Sequence, residues 1–151
     1  MTKGDRLSVA EKPTLYVGCA LTDAPDDFKD SVEAVKEQLG ANWQVLKFLG
    51  LVNGTAADVY TQDLGNVDKS AAFVAITDYP STGLGMEIGR ATELHTPTLL
   101  VAQRDARVTR MVLGAAELLP NFDFARYDDL EEDLPGIINE HFAHLLQSSE
   151  S

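Results

Sequence analysis

Only one cysteine, Cys19, occurs in the chain, which excludes an internal disulfide framework and fits a reducing, cytoplasmic setting. No apolar run approaches the roughly 20 residues needed to span a bilayer, so no membrane partner is expected. The opening Met1-Thr2-Lys3-Gly4-Asp5-Arg6 is polar and has no apolar core of the signal-peptide kind. Basic residues are scarce: 12 Lys and Arg stand against 24 Asp and Glu, a net charge of -12. Such a field repels long polyanions, so no nucleic acid polymer is expected as a partner. Metal chemistry is disfavoured as well. His95, His141 and His144 have no further ligand at zinc-site spacing, the last two lying three apart on an acidic terminal stretch. Cys19 has no evident histidine base, no serine sits in a nucleophile elbow, and no cofactor is called for.

What is present is an alternating pattern in 151 residues, 44% of them hydrophobic. Strand-like runs fall at Thr14–Cys19, Trp43–Phe48, Ala71–Thr77, Thr98–Ala102 and Phe122–Tyr127. Helical spacing of apolar residues follows at Asp26–Leu39, Ala56–Ser70, Leu84–Leu94, Arg104–Leu118 and Leu134–Leu146. Ala71–Thr77 is apolar nearly throughout, the mark of a central strand buried on both faces. Five strands alternating with five helices predict a parallel sheet covered on both sides. One domain is expected over residues 13–147, with disordered tails at 1–12 and 148–151. Ligands of such sheets sit beyond the carboxyl ends of the strands, near the switch in strand order.

The segment from Thr77 to Ala91 carries the most chemistry. Gly83 and Gly85 lie where a buried strand passes into a helix, and Ser81 and Thr82 add hydroxyls. Missing side chains let backbone N–H groups approach an anion there, though a P-loop lysine and the full dinucleotide glycine spacing are absent. Glu87 is read in the first turn of that helix, among apolar neighbours. A carboxylate so placed is kept ionised by the helix terminus yet poorly solvated, which suits a nucleophile; ordinary capping with Ser81 or Thr82 is the competing reading. Asp63 is a second acid, able to position a sugar hydroxyl or handle a proton, or else a solvated group on a helix face. Tyr16 ends near the sheet edge, and Gly18 beside it would let a ligand approach the backbone. Arg90, Arg104, Arg107 and Arg110 fall within 21 residues, which is either a cationic spot for a small anion or a salt-bridged surface.

Three pieces of the chain resemble the nucleoside 2-deoxyribosyltransferase superfamily, and within it the 2'-deoxynucleoside 5'-monophosphate N-hydrolases. They are Leu15-Tyr16-Val17-Gly18, Tyr60-Thr61-Gln62-Asp63-Leu64, and Gly83-Leu84-Gly85-Met86-Glu87-Ile88-Gly89-Arg90-Ala91. The resemblance covers residues 14–127 and implies a flavodoxin-like, Rossmann-like three-layer α/β sandwich with a five-stranded parallel sheet. It also implies Glu87 as nucleophile at the anomeric carbon, Asp63 assisting base departure or orienting the sugar, and Tyr16 holding Glu87 or the sugar. Gly18, Leu21, Ser81, Gly83, Gly85 and Thr109 fall at substrate-binding positions. Ser81, six residues before the glutamate, resembles the hydrolases, which bind a phosphate where transferases carry an aspartate. Thr109 falls where the hydrolases use a hydroxyl from a neighbouring subunit, which implies a homodimer or larger homo-oligomer. Leu21-Thr22-Asp23 departs from the arginine usual in the hydrolases, and Gly-Leu-Gly-Met-Glu is worded more like the transferases. The expected substrate is a deoxynucleotide or deoxynucleoside. Base exchange between deoxynucleosides and a catalytically silent nucleotide-binding module are the alternatives.

Overall fold

The computed structural model describes residues 12–47 and 54–150, so Phe48 and residues 1–11 of the tail expected at 1–12 lie outside the described residues. The elements run β1 (Thr14–Cys19), α1 (Asp26–Leu39), β2 (Gln44–Val45), α2 (Ala56–Lys69), β3 (Ala72–Ile76), α3 (Thr82–Leu94), β4 (Thr98–Gln103), α4 (Arg110–Leu118), β5 (Phe122–Tyr127), α5 (Leu130–His141) and α6 (Ala143–Glu150). The five strands form one sheet in the order β2-β1-β3-β4-β5, every pair parallel. This is the flavodoxin-like α/β fold, with its switch in strand order between β1 and β3.

Side-chain alternation along β1 assigns its residues to two separate cores. Leu15, Val17 and Cys19 face Val32, Val35 and Leu39 of α1 and Leu134 and Ile138 of α5. Tyr16 turns to the opposite face, where Phe73, Ala75 and Leu100 meet Val67 of α2, Leu84 and Ala91 of α3, and Val112 of α4. The middle strand β3 is buried along its whole length, as its unbroken apolar run predicts. Each buried Val, Leu, Ile or Phe side chain removed from water stabilises the fold by about 1.5–3 kcal/mol. The phase of α2 is set by a capping box: Thr55 Oγ1 accepts from the Asp58 N–H at 3.1 Å, and the Asp58 carboxylate accepts from the Thr55 N–H at 3.0 Å.

Several elements differ from the sequence expectation, and among the described residues β2 is confined to Gln44–Val45 where a strand from Trp43 was expected. Helix α4 starts at Arg110, because Thr109 caps it and the preceding turn bonds elsewhere: Arg126 donates to the carbonyls of Gln103, Arg104 and Ala106. The closing helix starts at Leu130, not Leu134, since Asp129 caps it by accepting from the Glu132 N–H at 2.9 Å, and Pro135 lies inside the helix. It also breaks at Phe142, whose ring packs edge-on against Trp43. Helix α6 then continues to Glu150, past residue 148, where a tail was expected.

Candidate active site

Strand order and alternation together build the site. The chain leaves β1 for β2 on one side and returns to β3 on the other, which opens a crevice at the carboxyl ends of β1 and β3. Tyr16 faces that side of the sheet and stacks on Phe73, its register partner, at a ring separation of 5.7 Å. Its hydroxyl donates to Glu87 Oε2 at 2.5 Å. Glu87 is only 7% exposed.

The sequence reading placed Glu87 in the first turn of its helix, and this needs correction. Ser81 caps α3 by accepting from the Leu84 N–H at 3.1 Å, so the helix starts at Thr82 and Glu87 is its sixth residue. It lies beyond the reach of a capping box and of the helix-terminal field, which fades within one turn. Instead it points at β1. Burial pushes its carboxyl pKa up to about 7, the Tyr16 hydrogen bond pulls it down, the charge of Asp63 raises it, and Lys36 lowers it. The net result is a carboxylate poised near neutrality, not one held firmly ionised. Tyr16 is driven far above its ordinary value by burial first and the Glu87 charge second, so it stays a neutral donor.

Asp63, on α2, lines the same cavity of about 290 Å³, and its Oδ1 is shielded from solvent. Gly18, Leu21, Ser81 and Gly83 line it too. The reason for Gly18 is steric: a Cβ there would lie 2.9 Å from Glu87 Oε1, 3.0 Å from Leu84 Cδ1 and 3.3 Å from Phe73 Cε1. Gly85 and Thr109 are not in this cavity. Both border a second, apolar cleft of about 610 Å³ between α3 and α4, and a Cβ on Gly85 would touch nothing within 4 Å. The arginines do not gather into one spot either. Arg90 pairs with Asp68 at 2.7 Å and Arg104 with Asp128 at 2.5 Å, while Arg107 and Arg110 border the second cleft. Among the described residues no Arg or Lys lines the Glu87 cavity.

Sequence reasoning missed Ala56, Val59 and Tyr60 as cavity walls, together with Thr22 and Met86. Val59 and Tyr60 precede Asp63 by four and three residues, so helical spacing alone could have found them. Cys19 also reaches the rim, its thiol pushed up to about 11 by burial. Among the described residues no group of three or more His, Cys, Asp and Glu could hold a metal ion, and no helix is long and apolar enough to cross a membrane.

Fold and site define a flavodoxin-like α/β protein with a buried tyrosine–carboxylate pair at the switch in strand order. No protein-family model matches the chain. A 5-hydroxymethyl-dUMP N-hydrolase of Branchiostoma floridae is 31% identical over 103 residues, covering 64% of this chain and 95% of that protein. A candidate 2'-deoxynucleoside 5'-phosphate N-hydrolase 1 of Methanosarcina mazei is 39% identical over 77 residues, 51% of this chain and 47% of that one. The chain thus spans about half the length of the first curated relatives it matches. The chain belongs to the 2'-deoxynucleoside 5'-phosphate N-hydrolase family, within the nucleoside 2-deoxyribosyltransferase superfamily. The CMP N-glycosidase of Clostridium botulinum shares the fold, with a TM-score of 0.65 at 17% identity over 85% of this chain and 98% of that one.

Two predictions follow from this geometry. Gly18→Ala should lower the unfolding free energy by about 1–3 kcal/mol in urea denaturation, since rigid neighbours must move to admit the methyl. Glu87 holds its proton to about pH 7 when folded but releases it near 4.5 when unfolded, so wild-type stability should fall as pH rises through that window. Relative to Glu87→Gln, the wild type should lose about 3 kcal/mol between pH 4 and pH 8. A flat difference across that range would show a solvated carboxyl.

Proposed function

We propose that the protein hydrolyses the N-glycosidic bond of 2'-deoxynucleoside 5'-monophosphates, releasing the free base and deoxyribose 5-phosphate. The observation that carries this reading is the Tyr16–Glu87 contact inside a cavity that Asp63 also lines. Family membership supports the reaction class, and the contacts within the site support the roles proposed for its residues.

In this reading an ionised Glu87 oxygen bonds to the anomeric carbon as the carbon–nitrogen bond breaks. The bonding pair leaves on the base nitrogen, which takes up a proton, and Asp63 orients the sugar or assists that departure. Water then attacks the same carbon, the ester bond to Glu87 breaks, and the carboxylate is regenerated as a proton is lost. Burial strips Glu87 of competing water, which raises its nucleophilicity. Tyr16 donates to the charged form and so keeps a usable fraction ionised near neutrality.

Ser81 serves the phosphate end. Its oxygen already accepts from the Leu84 N–H, which leaves its own hydrogen free to donate to an anion, and Gly83 sits beside it. Ala56, Val59, Tyr60 and Leu21 form apolar walls for the base. A second copy of the chain is proposed to pack on α4, where Met111 is 83% and Leu118 81% exposed beside Thr109. Sedimentation showing only monomer at micromolar concentration would contradict that assembly.

Incubation with dGMP or dCMP should yield base and deoxyribose 5-phosphate whether or not a free acceptor base is added. A new deoxynucleoside that forms only with the acceptor would instead identify a transferase. Glu87→Ala should abolish base release while nucleotide binding remains measurable; turnover at the wild-type rate would remove Glu87 from the mechanism. Because the ionised form acts, kcat/KM should rise with pH up to about 7 and level off. Tyr16→Phe removes the bond that lowers the Glu87 pKa, so that limb should move to higher pH. A limb left in place would separate Tyr16 from Glu87 ionisation.

A further inference from the structure

A second tyrosine–carboxylate contact lies outside the machinery described above. Asp78, three residues before Ser81, accepts from the Tyr127 hydroxyl at 2.5 Å through Oδ2 and from the Gln103 N–H at 3.1 Å through Oδ1. Tyr127 is buried and Asp78 is partly so. Next to it, the Thr77 N–H and hydroxyl both donate to the Val101 carbonyl, at 2.7 and 2.9 Å. Residues 77 and 78 therefore fasten the start of the β3–α3 loop to the ends of β4 and β5.

The same strand ends hold the β4–α4 turn. The Arg104 N–H donates to the Tyr127 carbonyl at 2.8 Å, and Arg126 Nη1 donates to the carbonyls of Gln103, Arg104 and Ala106. That turn ends at Thr109, the cap of α4. One carboxylate thus bridges the loop that presents Ser81 and the turn that leads to Thr109. Both its oxygens are engaged, one by Tyr127 and one by Gln103, so the carboxylate is fixed to the strand ends on both sides. Burial raises the Asp78 pKa above the ordinary carboxylate range, while the bonds from Tyr127 and Gln103 oppose the shift.

We infer that Asp78 and Tyr127 are positioning residues that hold the Ser81 loop in register to bind the 5'-phosphate of the substrate. This rests on the reading that Ser81 occupies the phosphate end. Neither residue lines the Glu87 cavity, so they act through the loop and not on the reacting atoms.

The test compares Asp78→Ala, Asp78→Asn and Tyr127→Phe with the wild type, on a deoxynucleoside monophosphate and on its phosphate-free counterpart. The counterpart is read as an inhibition constant where it is not turned over. Asp78→Ala and Tyr127→Phe should raise KM for the monophosphate about tenfold with kcat changed by no more than about twofold, and should leave affinity for the counterpart unchanged. Asp78→Asn should stay within about threefold of the wild type, because its amide oxygen still accepts from Gln103 and its NH2 can donate to the phenol oxygen. Tyr127→Phe deletes a single hydroxyl, so it keeps the test open if Asp78→Ala does not fold. Unchanged KM in a folded variant, or equal losses with both ligands, would overturn the inference alone. A wild type that neither cleaves nor binds any monophosphate would overturn the functional reading and this inference with it.

Discussion

The hydrogen bond from Tyr16 to Glu87 joins the middle of β1 to the second turn of α3, and the shape of the site depends on it. Taking a carboxylate out of water costs several kcal/mol even after the surroundings relax. A hydrogen bond to a charged group returns about 1.5–3 kcal/mol, so one such bond offsets only part of the cost. The remainder appears as a pKa near 7. A less buried glutamate would be fully ionised and solvated, whereas one buried without Tyr16 would stay protonated. The pair holds the group between these limits, and in the proposed chemistry that balance supplies the nucleophile.

Several features of the fold are arranged around that contact. Gly18 has no side chain because Glu87 Oε1, Leu84 and Phe73 already fill the space. Phe73 supports the Tyr16 ring from the neighbouring strand. The early cap at Ser81 turns α3 so that its sixth residue faces the sheet. The capping box at Thr55 sets the phase that brings Val59, Tyr60 and Asp63 to one wall. Local hydrogen bonds at two helix starts therefore decide where two carboxylates meet.

Much of this was legible in the residues. The unbroken apolar run at Ala72–Ile76 marked the central strand, and strict alternation of elements implied an all-parallel sheet. Tyr16, Asp63 and Glu87 stood out as a set through family resemblance, since spacing alone left each with an ordinary reading. The turn of Glu87 away from capping was legible in the spacing, because a capping box places its acid three residues after the cap, whereas Glu87 lies six after Ser81 and five after Thr82. The arginine window left a cationic spot and a salt-bridged surface both open. Proximity in sequence says nothing about partners such as Asp68 and Asp128, which come from other elements. Asp78 gave no local signal at all, as its partners lie 25 and 49 residues further on.

The central claim is that Glu87 itself receives the sugar. Rapid acid quenching during turnover of a deoxynucleoside monophosphate, followed by peptide mass spectrometry, tests it most directly. The account predicts a transient deoxyribose 5-phosphate adduct on the peptide containing Glu87. An enzyme trapped in active turnover with that peptide unmodified, or with the sugar on another residue, would contradict it.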